Sequence, residues 1–168
     1  MSRGKPTSLA SSGASNYAVT MHFSLIDRVL ARDENGATTL KHVSSAEEYL
    51  QDHFPTYPVL PGVMMLEAMI QAARASLPPE PPMVLARAGA LKYGAFVRPG
   101  DSILVQVSRS ATHPDGTSDF RGEVRLVGPG VPLDSEALPK AAAGKFSLRP
   151  IRDFAGRGPD MGSEAHRA

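Results

Sequence analysis

The stretch DHFPTYPVLPGVMMLEAMIQAA, residues 52–73, holds one imidazole, one carboxyl and one amide in largely apolar surroundings: His53, Glu67 and Gln71. Between Gly62 and Ala73 every other residue is glycine or apolar. A helix that is hydrophobic on nearly every side is a buried helix. Glu67 and Gln71 are four apart and share a face of it. A buried carboxyl must be paired or neutralised. Burial also raises a carboxyl's pKa, as a general acid requires. The competing expectation is a narrow solvent-facing strip that carries both residues.

His53 is one of five histidines, with His22, His42, His113 and His166. A lone histidine is most often structural. His53 differs because a connector with three prolines in seven residues, PTYPVLP, leads from it to the helix. Such a segment is too stiff for regular helix or central strand and can hold a ring and a helix end in fixed relation. An imidazole that titrates near neutrality is the default proton abstractor. Gly62 opens the helix, where backbone N–H groups lack partners and developing negative charge is favoured. Without a side chain there, a substrate oxygen could approach the backbone. Base, acid and oxyanion donor in one short stretch suit proton abstraction next to a carbonyl.

The elements that must position these groups follow from pattern. HFSLIDRVLARD and ATTLKHVSS read as two strands around a hairpin signal at Asn35-Gly36. SAEEYLQDHF reads as a short helix with Ser45 as N-cap and Glu48 three residues on. Gly62 to about Ser76 is the long helix, stopped by LPPEPP. LARAGALKYGAFV, SILVQVSRSA, SDFRGEVRLVG and AAAGKFSLRPI read as strands separated by turn residues. The expected class is α+β: about five to six mostly antiparallel strands, one face covered by one helix.

The totals narrow the function. The chain has 168 residues, no cysteine and a net charge of +1. Thiolate chemistry and disulfides are thereby excluded, and a general nucleic-acid binder is disfavoured. No apolar run reaches the ~20 residues that span a bilayer. Residues 1–16 read as a flexible leader without the apolar stretch of a signal peptide. Residues 17–151 form the expected domain and 152–168 a loose tail. A cytoplasmic location is expected.

In register and without a gap, His53-Phe54-Pro55, Pro58, Pro61-Gly62-Val63, Glu67-Ala68 and Gln71 resemble the core motif of the hotdog-fold (3R)-hydroxyacyl-[acyl carrier protein] dehydratases of type II fatty acid synthesis. The resemblance extends over HFSLIDRV, LKHVSSAEEYLQDHF and ALKYGAFVRPGDSILVQV, about residues 20 to 151. It implies an antiparallel sheet wrapped around one long central helix. It further implies a homodimer, or a trimer of dimers, in which His53 of one subunit works with Glu67 of the other. His53 would remove the α-proton of a 3-hydroxyacyl thioester, and Glu67 would help expel the 3-hydroxyl as water. The Gly62 N–H would stabilise the thioester oxygen. Val63 would line the same wall, and Gln71 would orient Glu67 or a water.

A glutamate at position 67 resembles the dehydratase-only branch rather than the branch that also isomerises the double bond. No metal or organic cofactor is implied. The acyl chain would arrive on the phosphopantetheine arm of an acidic acyl carrier protein, for which Lys92, Arg98, Arg109, Arg121, Lys145 and Arg149 are candidate contacts. Neither nucleic acid nor membrane is an expected partner. Asp52 and Thr56 stand where the family usually has glycine, and the loop Gly128–Lys140 is longer than usual. Two other outcomes remain open at this level: a hotdog thioesterase or specialised dehydratase of a secondary lipid or polyketide pathway, and a non-catalytic acyl-binding hotdog subunit.

Overall fold

A computed structural model describes residues 23–135 and 137–151. The expected leader, 1–16, and tail, 152–168, lie outside the described residues. Strands β1 (Arg28–Asp33) and β2 (Gly36–His42) form a hairpin, followed by helix α1 (Gly62–Ala75). Strands β3 (Met83–Tyr93), β4 (Ser102–Thr112), β5 (Ser118–Val127) and β6 (Lys140–Pro150) complete one six-stranded sheet. Its order is β1-β2-β4-β5-β6-β3, with every pairing antiparallel. The sheet curls around α1, the architecture that the resemblance implies.

Strand alternation sends one set of side chains to the helix. Ile103, Val105 and Val107 of β4 and Phe120 and Val124 of β5 are buried against Met65, Met69, Ile70 and Ala73. Each large apolar side chain so buried stabilises the fold by about 1.5–3 kcal/mol relative to exposure. The helix packs tightly on the sheet at Gly122, where a Cβ would stand 2.3 Å from the Met69 sulfur and 3.2 Å from its Cβ. A side chain there would push α1 off its seat. At its far end Ser76 Oγ donates to Ala73 O at 2.7 Å, and the chain leaves into the proline-rich segment.

Two local expectations are corrected. The hairpin turn falls on Glu34-Asn35, with Gly36 already paired to Asp33 across the strands. Asp33 Oδ1 closes the turn by accepting the Asn35 and Gly36 N–H groups at 2.7 and 3.0 Å. Gly36 is needed for a different reason: a Cβ would lie 2.0 Å from Val107 O on β4. The short helix contracts to a single 3₁₀ turn, Glu48–Leu50. Ser45 caps nothing; Ser44 Oγ takes the Ala46 N–H at 3.2 Å instead.

An ion cluster fixes the run-up to His53. Lys41 points to the helix side of β2, is only 8% exposed, and reaches Glu47 at 2.7 Å and Asp27 at 3.3 Å. Burial works to lower the pKa of its ammonium, but the Glu47 hydrogen bond and the two carboxylate charges outweigh burial and raise it. Asp27 also accepts the His42 N–H at 2.6 Å. The segment before His53 is thereby pinned to the first hairpin.

Candidate active site

The connector from His53 to Gly62 is a closed loop. Val59 N–H donates to His53 O at 3.0 Å, and the His53 ring returns a bond through Nδ1 to Val59 O at 3.1 Å. A carbonyl only accepts, so Nδ1 carries the proton, and in the neutral ring Nε2 keeps its lone pair. The Phe54 ring stacks on the imidazole at 4.4 Å between centroids. Leu60 N–H bonds to Val97 O at 2.8 Å and fastens the loop to the segment before β4. The half-buried ring is thus oriented almost entirely by backbone.

Helix α1 begins directly after Pro61 with no side-chain cap. Among the described residues the Gly62 and Val63 N–H groups have no hydrogen-bond acceptor. The Tyr93 ring fills the space that a side chain at Gly62 would take. A Cβ there would lie 2.7 Å from Tyr93 Cε1 and 2.9 Å from Cζ. The glycine therefore admits the Tyr93 ring as well as leaving its own N–H uncovered. Tyr93 lies 31 positions further along the chain, and no short-range signal links the two residues.

Glu67 and Gln71 share one face, as their spacing requires, but they differ in burial. Gln71 is 4% exposed, whereas the Glu67 side chain is 35% exposed. The expectation that both meet protein holds for Gln71 alone within one chain. The helix surface at Val63, 65% exposed, and Glu67 is turned away from the sheet.

Gln71 is fully engaged: Oε1 accepts Leu25 N–H at 2.8 Å, and Nε2 donates to Phe23 O at 3.2 Å and to Glu67 Oε1 at 3.1 Å. Flipping this amide would oppose acceptor to acceptor, so its orientation is fixed by its partners. Arg74, which the sequence reading passed over, brings Nη1 to 3.7 Å from the same Glu67 oxygen. Its spacing of seven from Glu67 was the available signal.

No hydrogen bond or ion pair joins His53 to Glu67 within the chain. An open apolar rim flanks the group: Phe54 beside His53, Val63 beside Gly62, Tyr93 on Gly62, and Phe96 next to Val97 are each more than half exposed. Of the basic candidates, Arg98 stands against the loop, its guanidinium 4.6 Å from the Tyr57 ring centroid. Arg109 is spent on Glu34 O, and Arg149 donates to Pro150 O at 3.3 Å. Among the described residues no three metal-ligating side chains cluster, and no helix is long and apolar enough to cross a membrane.

Four similarities bear on this chain. A family model described as ApeI-like, ApeI dehydratase, matches residues 30–125. The 3-hydroxyacyl-[acyl-carrier-protein] dehydratase FabZ of Thermus thermophilus is 40% identical over 90 residues, 50% of this chain and 63% of the relative. The chain thus spans less than two thirds of that relative's length. Among solved structures, the dehydratase heterocomplex ApeI:P from Xenorhabdus doucetiae aligns at a TM-score of 0.50 and 20% identity, over 69% of this chain and 88% of that one. The virulence protein Cj0977 from Campylobacter jejuni aligns at 0.57 and 14%, over 82% and 84%. At these identities the two structures speak to the fold alone, and the fold is the hotdog.

Proposed function

The chain belongs to the ApeI-like dehydratase family, and on that premise we propose that it dehydrates (3R)-3-hydroxyacyl chains on acyl carrier protein to the trans-2-enoyl thioester in fatty acid biosynthesis. The observation that carries the mechanism is the His53 Nδ1 bond to Val59 O, which leaves Nε2 as a base. Nε2 takes the α-proton. The electron pair moves toward the thioester oxygen, which the unpaired Gly62 N–H receives. The pair then forms the C2–C3 double bond as the C3–O bond breaks, and the hydroxyl leaves as water with a proton from Glu67. The proton on His53 passes to Glu67, directly or by way of solvent, which restores both groups. Val63 lines the wall beside Gly62, and Gln71 holds Glu67.

The reading includes a homodimer, or a trimer of dimers, with His53 and Glu67 meeting across subunits. Support comes from the missing bond between them within a chain and from β3, an exposed edge strand of mostly small and apolar residues, with Arg87 and Lys92 among them, and one unpaired side. The acyl carrier protein is the proposed partner, the cytoplasm the proposed location, and no metal or organic cofactor takes part. The ApeI-like match favours a second reading: the same elimination in a specialised pathway rather than housekeeping fatty acid synthesis.

The test is mass spectrometry of a 3-hydroxyacyl-carrier substrate incubated with wild type, His53→Ala and Glu67→Gln. Wild type should interconvert hydroxyacyl and enoyl forms. The variants should keep their Tm and lose about 100-fold or more in rate. Release of free acid would make the enzyme a thioesterase, and no reaction across chain lengths would make it a binding subunit.

A further inference from the structure

Arg74 sits in the last turn of α1, seven residues beyond Glu67 and three beyond Gln71, on the same face of the helix. Ion pairs on a helix surface ordinarily join residues three or four apart. Here the guanidinium instead runs back along the helix toward the carboxylate. It is not a loosely solvated head. Its Nε donates to Met83 O at 2.9 Å, which anchors the guanidinium plane to the start of edge strand β3. With that bond in place, Nη1 stands 3.7 Å from Glu67 Oε1. This is too long for a hydrogen bond and leaves a charge contact that solvent partly screens, each side chain being about one third exposed. The Gln71 amide meets the same oxygen at 3.1 Å. Both contacts therefore fall on Oε1, and Oε2 has no hydrogen bond or ion pair among the described residues.

We propose that Arg74 is a positioning residue for the dehydration. Together with Gln71 it fastens Glu67 by Oε1, presents Oε2 as the atom that carries the proton to the 3-hydroxyl, and steadies the carboxylate left when that proton has gone. The inference rests on the role given to Glu67 above. It adds that the orientation of that carboxylate is set partly by a cation tied to β3, so the site and the sheet edge share one side chain. Arg74 acts through Glu67 and need not touch substrate.

The probe is crotonyl-pantetheine, whose hydration is followed by loss of the enoyl absorbance, with wild type, Arg74→Gln, Arg74→Lys and Arg74→Ala. Arg74→Gln keeps a donor for Met83 O but removes the charge; Arg74→Lys keeps the charge. Arg74→Gln and Arg74→Ala should lower kcat by about tenfold or more, as loss of a charge-assisted contact does. KM should stay within about twofold, because Arg74 touches no substrate and its loss falls on the chemical step. Arg74→Lys should recover most of kcat, and Tm should move little for Arg74→Gln. Wild-type kcat in Arg74→Gln overturns the proposal, as do kcat losses that follow Tm across all three variants. An inactive wild type sinks the dehydratase reading and this proposal together, whereas an active wild type with an indifferent Arg74 sinks the proposal alone.

Discussion

His53 and Glu67 are held in opposite ways. The imidazole sits on a loop closed by its own backbone and by the Val59 carbonyl, so its orientation depends little on neighbouring side-chain identity. The carboxylate rises from a regular helix whose backbone fixes only the direction of the side chain. Its final placement comes from two other side chains, Gln71 and Arg74. A loop usually gives the looser platform and a helix the firmer one. Here the loop is stiffened by prolines and reciprocal bonds, and the helix delegates its last degree of freedom to an amide and a guanidinium.

The sharpest way to break this contrast is at Gln71. Gln71→Leu strands the Leu25 N–H, the Phe23 carbonyl and one side of Glu67 at once. It should cost about 1–3 kcal/mol of stability in denaturant titration, with a clear loss of rate. Thr56→Gly, in the loop, leaves the His53–Val59 bonds in place and should stay within about 0.5 kcal/mol of wild type. Equal effects at the two sites would erase the distinction.

Gly62→Ala tests the junction between loop and helix. The new Cβ meets the Tyr93 ring, an exposed side chain that can swing aside. A modest loss of about 1 kcal/mol is expected from forced repacking, removed when Tyr93→Ala is combined with it. A loss that persists in the double variant would mean that the backbone, not the ring, is what the glycine serves.

The smallest effect should come from the outer face of the sheet, far from both groups. Asp119 accepts from Ser147 Oγ at 2.5 Å and pairs with His113 Nε2 at 2.9 Å. The Ser147 bond first, then His113, hold its carboxyl below the usual value of 3.8. A depressed carboxyl stabilises the fold above its unfolded pKa, and this contribution vanishes as pH falls through the folded value. Asp119→Asn should therefore lower Tm slightly at neutral pH, and its curve should converge with wild type only as pH falls below the depressed folded value. Activity should be unchanged. A parallel offset at every pH would remove the carboxyl as the cause.

The fold was readable because its carriers are local. Alternation marked β4 to β6, and a helix with almost no polar residue between Gly62 and Ala73 had to be central. The ENG segment, residues 34–36, marked the turn that closes at Glu34-Asn35, but the need for glycine at Gly36 was not legible, because it answers to Val107 on a distant strand. The run before His53 carried a capping pattern, yet it folds as one 3₁₀ turn because Lys41 draws Glu47 toward the hairpin. In the site, the spacing of Glu67 and Gln71 was legible, as was the singular place of His53. Tyr93 was not, because its neighbour Gly62 is close only in three dimensions. Arg74 was in plain view at helical spacing and was hidden only by its unremarkable position in a last turn, where basic residues ordinarily serve the helix end.

Gln71 has one more consequence. The start of a domain is where a chain ordinarily frays first. Here Phe23 and Leu25 are bound to the amide that also grips Glu67. Opening at that edge cannot proceed without loosening the carboxylate, and by linkage whatever steadies the carboxylate suppresses the opening. Residues 23–25 and the proposed acid are therefore expected to loosen together.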